Sequence, residues 1–511
     1  MMNFSLILVG NGKIGGVRPW DGARACFLPY LHTPWEKGGG HVDILERLGD
    51  GIWDPWLLAG FLLVGLWCSV GTGFFQIFGL RRWLGTAAGA LLRPGRRSGR
   101  GGLTQLQALS TALASTIGTG SIAGVATAIF YGGPGAVFWM WVSAFLGMMT
   151  GCVEKILAVR YRRRSKEGGW EGGPMEYMTQ GLGLRPLALV FAFFCVVASI
   201  GGGDMVQANS IAAALEHAFG WDRLTVGVMV ALLTGGVILG GIGRIGRVSE
   251  RLVPAMALLF LTGGSAVILC HAAALPQALS AIFAGAFTPK AAVGGGLGYS
   301  MATAMRYGVA RGVFTNEAGL GSSAMAHAAA DVDHPGEEGM WGMFEVFVAT
   351  GLVCTVTALA ILTSGVYDPD AALRALETGR VEDAMVGASL SAAAFSTVLG
   401  KWGGPFVAVC LLLFAFSSLL GWSYYGERSL SFLTGTRRWT GLYRLCFLLF
   451  VVVGSVSEVG AVWQAADICN GMMALPNLAA LLLLSPEAFR LLAVWTQVSG
   501  RKRGRGTSPA A

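Results

Sequence analysis

Residues 114–124 read Ala-Ser-Thr-Ile-Gly-Thr-Gly-Ser-Ile-Ala-Gly, and residues 311–321 read Arg-Gly-Val-Phe-Thr-Asn-Glu-Ala-Gly-Leu-Gly. Each lies mid-way along an apolar run long enough to cross a bilayer, where a plain anchor helix would carry Leu and Val. Glycine and hydroxyl side chains there predict an unwound helix. The backbone groups it frees survive in hydrocarbon only against protein or a wet cavity, so a broken span implies a site. The whole chain fits that class. Of its 511 residues, 54% are apolar and 13% are charged, about half the charged share of a soluble domain, and the mean hydropathy is +0.59. Ordinary soluble, disordered and collagen-like classes are excluded. The 77 glycines follow no three-residue period and lie mostly in apolar runs, where small residues let helices approach closely.

Working outward, apolar segments recur at about 55–79, 105–131, 134–159, 186–216, 223–242, 252–273, 296–328, 341–366, 403–433, 441–458 and 461–484. The expectation is an all-α polytopic membrane protein of about eleven transmembrane helices. The chain divides into an N-terminal extension (1–52), an extra helix with its loop (53–104), two five-helix sets (105–273 and 274–485) and a basic tail (486–511). The interruptions fall in the first helix of each set, the placement that inverted repeats produce. Arg81/Arg82, Arg160 to Arg164, Arg437/Arg438 and Arg501 to Arg505 cluster in alternate loops, while the intervening loops hold only Arg223, Lys290, Arg374, Arg380 and Lys401. The positive-inside rule then predicts the N-terminus outside and the C-terminus in the cytoplasm; for a bacterial chain the expected location is the inner (plasma) membrane. The net charge of +8 reads as topology, not as a nucleic-acid surface. Nine cysteines without a CxxC pair predict neither a disulfide framework nor a zinc site. The first fifty residues, with Trp20, Trp35 and Lys37, lack the apolar core of a signal peptide. The loop 367–402, with Asp368, Asp370, Glu377, Glu382 and Asp383, is expected to hold a short amphipathic helix over the entrance.

A half-helix N-terminus offers partial positive charge to an anion, and freed carbonyls hold a cation. A zwitterionic solute with a coupling ion fits both ends. Gly120 and Gly124 also have the spacing of a packing motif, but the counterpart at 312–321 favours a binding site. Gly118-Thr119-Gly120 is not a dinucleotide fingerprint, since no strand precedes it. Ser418 and Trp422 share one helical face, and Ser417 with Ser418 supplies the hard oxygens sodium prefers. Glu154 and Glu345, with Arg160, Arg306 or Glu317, are either a cytoplasmic gate or static pairs at helix ends. His327, Asp331, Asp333 and His334 follow the seventh span and are not expected to bind metal. Pro476-Asn477 is expected to mark a kink packed on its neighbours. No nucleophile–base pairing stands out, so the protein is not expected to be an enzyme.

Seven blocks carry a resemblance: GTGSIAGVATAIFYGGPGAVFWMWVSAFLGM at 118–148, GGPMEYM at 172–178, MVQANSIA at 205–212, GVARGVFTNEAGLGSSAMAHAAADVDHP at 308–335, WGMFEVF at 341–347, FAFSSLLGWSYYGE at 414–427 and ALPNLAAL at 474–481. In these the chain resembles the alanine or glycine:cation symporter family, the sodium:alanine symporters. The resemblance implies a LeuT-type fold, ten core helices in two inverted repeats with one extra helix in front. It implies uptake of a small neutral amino acid from across the lipid bilayer, with sodium as coupling ion and no cofactor. By the same resemblance Gly118, Thr119, Gly120, Ser121, Gln207, Phe314, Ser418 and Trp422 would bind the substrate, and Thr119, Ile122, Ser417 and Ser418 the sodium. Trp and Phe around a small-residue break would limit the cargo to alanine or glycine by size. The chain departs from the family pattern at Ser121 and Asp204, where Asn is usual. Asp204 could ligate another sodium, carry a proton or pair with Arg311. The other readings are a proton-coupled symporter working through Asp204 and a transport-dead amino acid sensor.

Overall fold

The structure is a computed structural model that describes residues 52–53, 55–91, 102–165, 169–287, 300–378, 380–381, 384–457 and 460–505. The expected extension up to residue 51, Lys290, Glu382 and Asp383 lie outside the described residues. A leading helix, α1 (Pro55–Gly71), is followed by the amphipathic α2 (Leu80–Leu91). The first set then comprises α3 (Gln105–Thr116) and α4 (Ala123–Gly132) on either side of a break, α5 (Gly135–Arg160), α6 (Arg185–Ile200) continuing through a π-turn into α7 (Val206–Phe219), α8 (Arg223–Ile238) and α9 (Gly241–Cys270). After α10 (Leu275–Phe287) the second set comprises α11 (Met301–Asn316) and α12 (Ala324–Ala328), α13 (Pro335–Val346) running into α14 (Thr355–Thr363), α17 (Gly403–Thr434), α18 (Thr440–Val456) and α19 (Gly460–Arg505). Helices α15 (Pro369–Thr378) and α16 (Ala388–Leu399) fill the loop before α17.

Local chemistry sets several of these boundaries. Thr104 and Gln107 form a reciprocal capping box that starts α3, Asp222 caps α8 by accepting from Thr225 N, and Gly220, at φ +70°, ends α7. Among the described residues, six helical stretches are long and apolar enough to cross a membrane, including Gly135–Arg160, Arg185–Phe219 and Ala388–Thr434. The other expected spans are shorter as helices. The two broken spans are short on each side of their breaks, and α1, α8 and α18 have 17, 16 and 17 residues. The apolar stretch Ala272–Phe287 was expected as loop, and Ala388–Leu399 is a second helix where one short one was expected. Around the outside, Leu232, Leu258, Leu269 and Leu483 are each more than 60% exposed, an apolar girdle that hydrocarbon covers. The protein is an integral membrane protein.

The core forms where α5 packs on both α11 and α13, and α17 on α3, α6 and α7. Close approach needs glycine. A Cβ on Gly308 would lie 2.3 Å from Ala136 O, and one on Gly312 3.0 Å from Ser143, so this pair seats α11 on α5. Within the interruption expected at 312–321, the first part is corrected: Gly312–Asn316 are continuous helix. The break comes at 317–323, where Glu317, Gly319 and Gly321 take φ of +53°, +94° and +84°. The glycine at 312 serves packing, and the two later ones serve the turn. α1 docks on α5 and α19, with Trp67 Nε1 donating to Ser485 at 2.9 Å. A short hairpin, β1 (Arg163–Arg164) and β2 (Trp170–Glu171), lies at the end carrying the arginine cluster.

Candidate functional site

The first break runs from Ile117 to Ile122: Gly118 is extended, Thr119–Ser121 forms one 3₁₀ turn, and α4 begins at Ala123. A Cβ on Gly120 would lie 3.1 Å from both Phe314 and Thr315, so the first break packs against the last turn of α11, directly before the second break. Between them is a cavity lined by Ser115, Gly118, Gly120, Gly202, Gln207 and Phe314, and closed by Glu317, Leu320, Ser418, Trp422 and Asn470. Both interruptions, the third span of the first set (α6 through the π-turn to α7, Arg185–Phe219) and α17 thus meet in one buried pocket.

Six of the eight residues expected at a substrate site line it: Gly118, Gly120, Gln207, Phe314, Ser418 and Trp422. Thr119 stands behind, its hydroxyl donating to Gln207 Oε1 at 3.2 Å, while Gln207 Nε2 donates to Gly202 O at 3.1 Å. Gln207 is fixed from both ends. Ser121 faces away from the cavity, and its carbonyl accepts from Thr357 Oγ1 at 2.8 Å. Trp422 packs edge-on against Tyr425, whose hydroxyl is 2.8 Å from Ser115 Oγ; it is a buried wall of the pocket. Phe314 stacks on Trp463 at 6.3 Å.

The four residues expected around sodium do not converge. Ser417 Oγ donates to Ala114 O at 3.0 Å and Ser418 Oγ to Ser115 O at 3.0 Å, at the end of α3. Ile122 O accepts from Ser391 Oγ on α16 at 3.1 Å, and Thr119 is engaged with Gln207. The oxygens that do gather are therefore the α17 hydroxyls and the last carbonyls of α3, because the helix unwinds just beyond them.

Arg311 and Asp204 do not pair. The Arg311 guanidinium sits 5.7 Å over the Phe314 ring and interacts electrostatically with Asp467 of α19, whereas both Asp204 carboxylate oxygens are buried without a hydrogen-bond partner. Arg311 lies one turn before Phe314 on α11, whereas Asp204 is outside the cavity lining and interacts with Tyr443 of α18.

Sequence reasoning missed the buried polar network beside the pocket. Lys155, fully buried, lies 3.4 Å from Glu154 and 3.2 Å from Glu345 and donates to Ser323 at 2.8 Å. Glu154 and Glu345 are interior groups, not helix-end snorkels, and Arg160 pairs instead with Glu487 at 2.8 Å. His327 lies on buried α12, not in a loop, 2.7 Å from Glu338 and 3.2 Å from Glu345. His334 starts α13, its Nδ1 accepting from Gly336 N. Asn477 donates to Glu154 at 2.7 Å and to Gly319 O at 2.9 Å, so it pins the second break while α19 runs on as one helix through Pro476. Asn470 and Gly202 were also unforeseen as lining. The available signals were an amide inside an apolar span and the run Gly201-Gly202-Gly203 before an acid.

A family model described as the sodium:alanine symporter family matches residues 40–508. The chain belongs to the sodium:alanine symporter family. Among the similar relatives is the sodium/alanine symporter AgcS of Methanococcus maripaludis, 42% identical over 87% of this chain and 95% of the relative. The probable sodium/glutamine symporter GlnT of Bacillus subtilis is 34% identical over 91% and 93%, and the putative sodium/proton-dependent alanine carrier YrbD of the same organism is 35% identical over 91% and 94%. A solved manganese transporter variant from Eremococcus coleocola shares the fold, with a TM-score of 0.51, 16% identity, and coverage of 80% and 89%. Members of this symporter family are transporters and not enzymes, with cation-coupled amino acid symport as the shared activity.

Proposed function

We propose that the protein is a sodium-coupled symporter that carries alanine or glycine by alternating access between the two faces of the membrane. The observation that carries this reading is a pocket lined from both helix breaks, with hydroxyls of α17 hydrogen-bonded to the end of α3 one turn away. The amino acid carboxylate meets the amides around Gly118 and Gly120, and its ammonium meets Gln207 Oε1, Glu317 and Asn470. Sodium takes its oxygens from Ala114, Ser115, Ser417 and Ser418, hard donors suited to it. Cargo size is limited by Trp422 and Phe314. Trp422 cannot retreat, because the third span backs it at Gly203, where a Cβ would come within 2.4 Å of its own.

The two-repeat organisation, 105–273 and 274–485, is supported by the way counterparts touch: α4 meets α11, α5 meets α13, α7 meets α17 and α8 meets α18, as a two-fold relation requires. The arginine-rich end, with the hairpin and the C-terminus, faces the cytoplasm on the charge rule.

The test is labelled alanine uptake into proteoliposomes under an inward sodium gradient and in choline, with glycine, serine, proline and D-alanine as competitors. Accumulation in sodium alone, competed by glycine and not by proline, is expected. Binding without accumulation would make the protein a sensor.

A further inference from the structure

The third span meets the pocket through a π-turn, Gly201–Met205. Gly202 and Gln207 face the cavity, and Gly203 abuts Trp422. Asp204 projects from the back of this wall. It has 0% exposure, and neither carboxylate oxygen has a hydrogen-bond partner.

Five helices pack against the turn: α6, α7, α17, α18 and α19. From α18 comes the Tyr443 phenol, 2.9 Å from Ser199 Oγ, with Asp204, Cys195 of α6 and Glu427 of α17 as its charge neighbours. Glu427 is itself held by Arg444 at 2.9 Å, and α17 adds Tyr424 and Tyr425 to the same stretch of helix. Ala466 and Asn470 come from α19, where Asp467 is the acid that Arg311 acts on. α7 continues from the turn with Gln207. Among the described residues no Lys, Arg or His pairs with Asp204, and no charged group acts on it at close range. A lone carboxylate in a dry interior is costly. A sodium ion would need several further oxygens, and among the described residues no group of three acidic, Cys or His residues is placed to hold a metal ion. A proton needs one.

We propose that Asp204 is a proton-binding site on the back of the pocket wall, and that amino acid binding at its front is coupled through the π-turn to proton loading. In the loaded form one Oδ carries the proton. Release leaves a bare carboxylate, which is tolerated only if the turn shifts to admit water. Three successive glycines make that shift possible, and the chain of hydrogen bonds from Gly202 to Gln207 to Thr119 delivers it to the first break. Each transported amino acid is then accompanied by a proton as well as by sodium. The inference rests on the symport reading above.

The experiment loads proteoliposomes with a pH-sensitive dye, imposes the sodium gradient, and measures labelled alanine uptake and lumen acidification together. Wild-type protein is expected to acidify the lumen only when alanine is added. In Asp204→Asn the protons moved per alanine should fall to background, and Asp204→Glu should restore them. Alanine uptake by the wild type without acidification overturns the proton site and leaves sodium symport standing; no sodium-driven uptake at all overturns both. If Asp204→Asn does not fold, calorimetry of alanine binding to wild-type protein in buffers of different ionisation enthalpy decides. Heats that vary with the buffer support proton linkage, and identical heats refute it.

Discussion

Gln207 is the side chain on which the pocket's geometry turns, since it bridges Gly202 of the third span to Thr119 of the first break. Gln207→Leu removes both hydrogen bonds and leaves Thr119 without its acceptor, a loss of roughly 1–2 kcal/mol. The alanine KM should rise roughly tenfold, with sodium dependence retained, in proteoliposome uptake. Gly203→Ala should act more bluntly. Its Cβ would meet Trp422 at 2.4 Å, so Trp422 is driven into the cavity and uptake should be lost while the purified protein remains monodisperse by gel filtration. Much of this pocket was legible beforehand. Gly118, Gly120 and Ser418 are out of character for lipid-facing helix, and that is a local signal; Phe314 and Trp422 were expected from the family resemblance. Lys155 and Asn470 were illegible because their meaning lies in groups far away in the chain, such as Ser323, 168 residues on, and Glu345 around Lys155.

At the scale of elements, the second break is held open by the buried ionic network under it. Glu154 Oε1 accepts from Gly319 N at 3.0 Å and from Asn477, while Lys155 binds the other oxygen and reaches Glu345. Lys155→Met strands two buried carboxylates, a change that costs about 3–5 kcal/mol. Thermal unfolding in detergent should show a large drop in Tm, partly recovered in the double variant Lys155→Met/Glu345→Gln. The β1–β2 hairpin gives a milder, pH-dependent case. Burial would push the Glu171 carboxyl up, but Arg428, 2.8 Å away, and Arg437 outweigh it and hold it below its ordinary value of 4.5. The folded value is the lower one, so the contact stabilises fully above pH 4.5 and is lost as pH falls through the folded value. Glu171→Gln should flatten this acid limb in a plot of Tm against pH. Hydropathy marked where the helices run; it misplaced the second break by several residues because Gly312 and Gly319 look alike in sequence, and only packing against α5 separates the glycine that seats a helix from the one that ends it.

For the molecule as a whole, α5 and α13 flank the broken helices on one side of the pocket, while the third span and α17 enclose it on the other. The site therefore sits where two packed groups of helices meet, and the girdle of exposed leucines leaves them free to move in lipid. Transport driven by an ion gradient requires that cargo and ion favour the same state, and such a coupling is reciprocal. The decisive measurement is calorimetry of the purified protein: alanine affinity at a series of sodium concentrations, and sodium affinity at a series of alanine concentrations. Sodium should tighten alanine binding by the same factor as alanine tightens sodium, with both effects abolished in Ser417→Ala/Ser418→Ala. An alanine affinity that is identical in sodium and in choline would contradict a shared site between the two helix breaks.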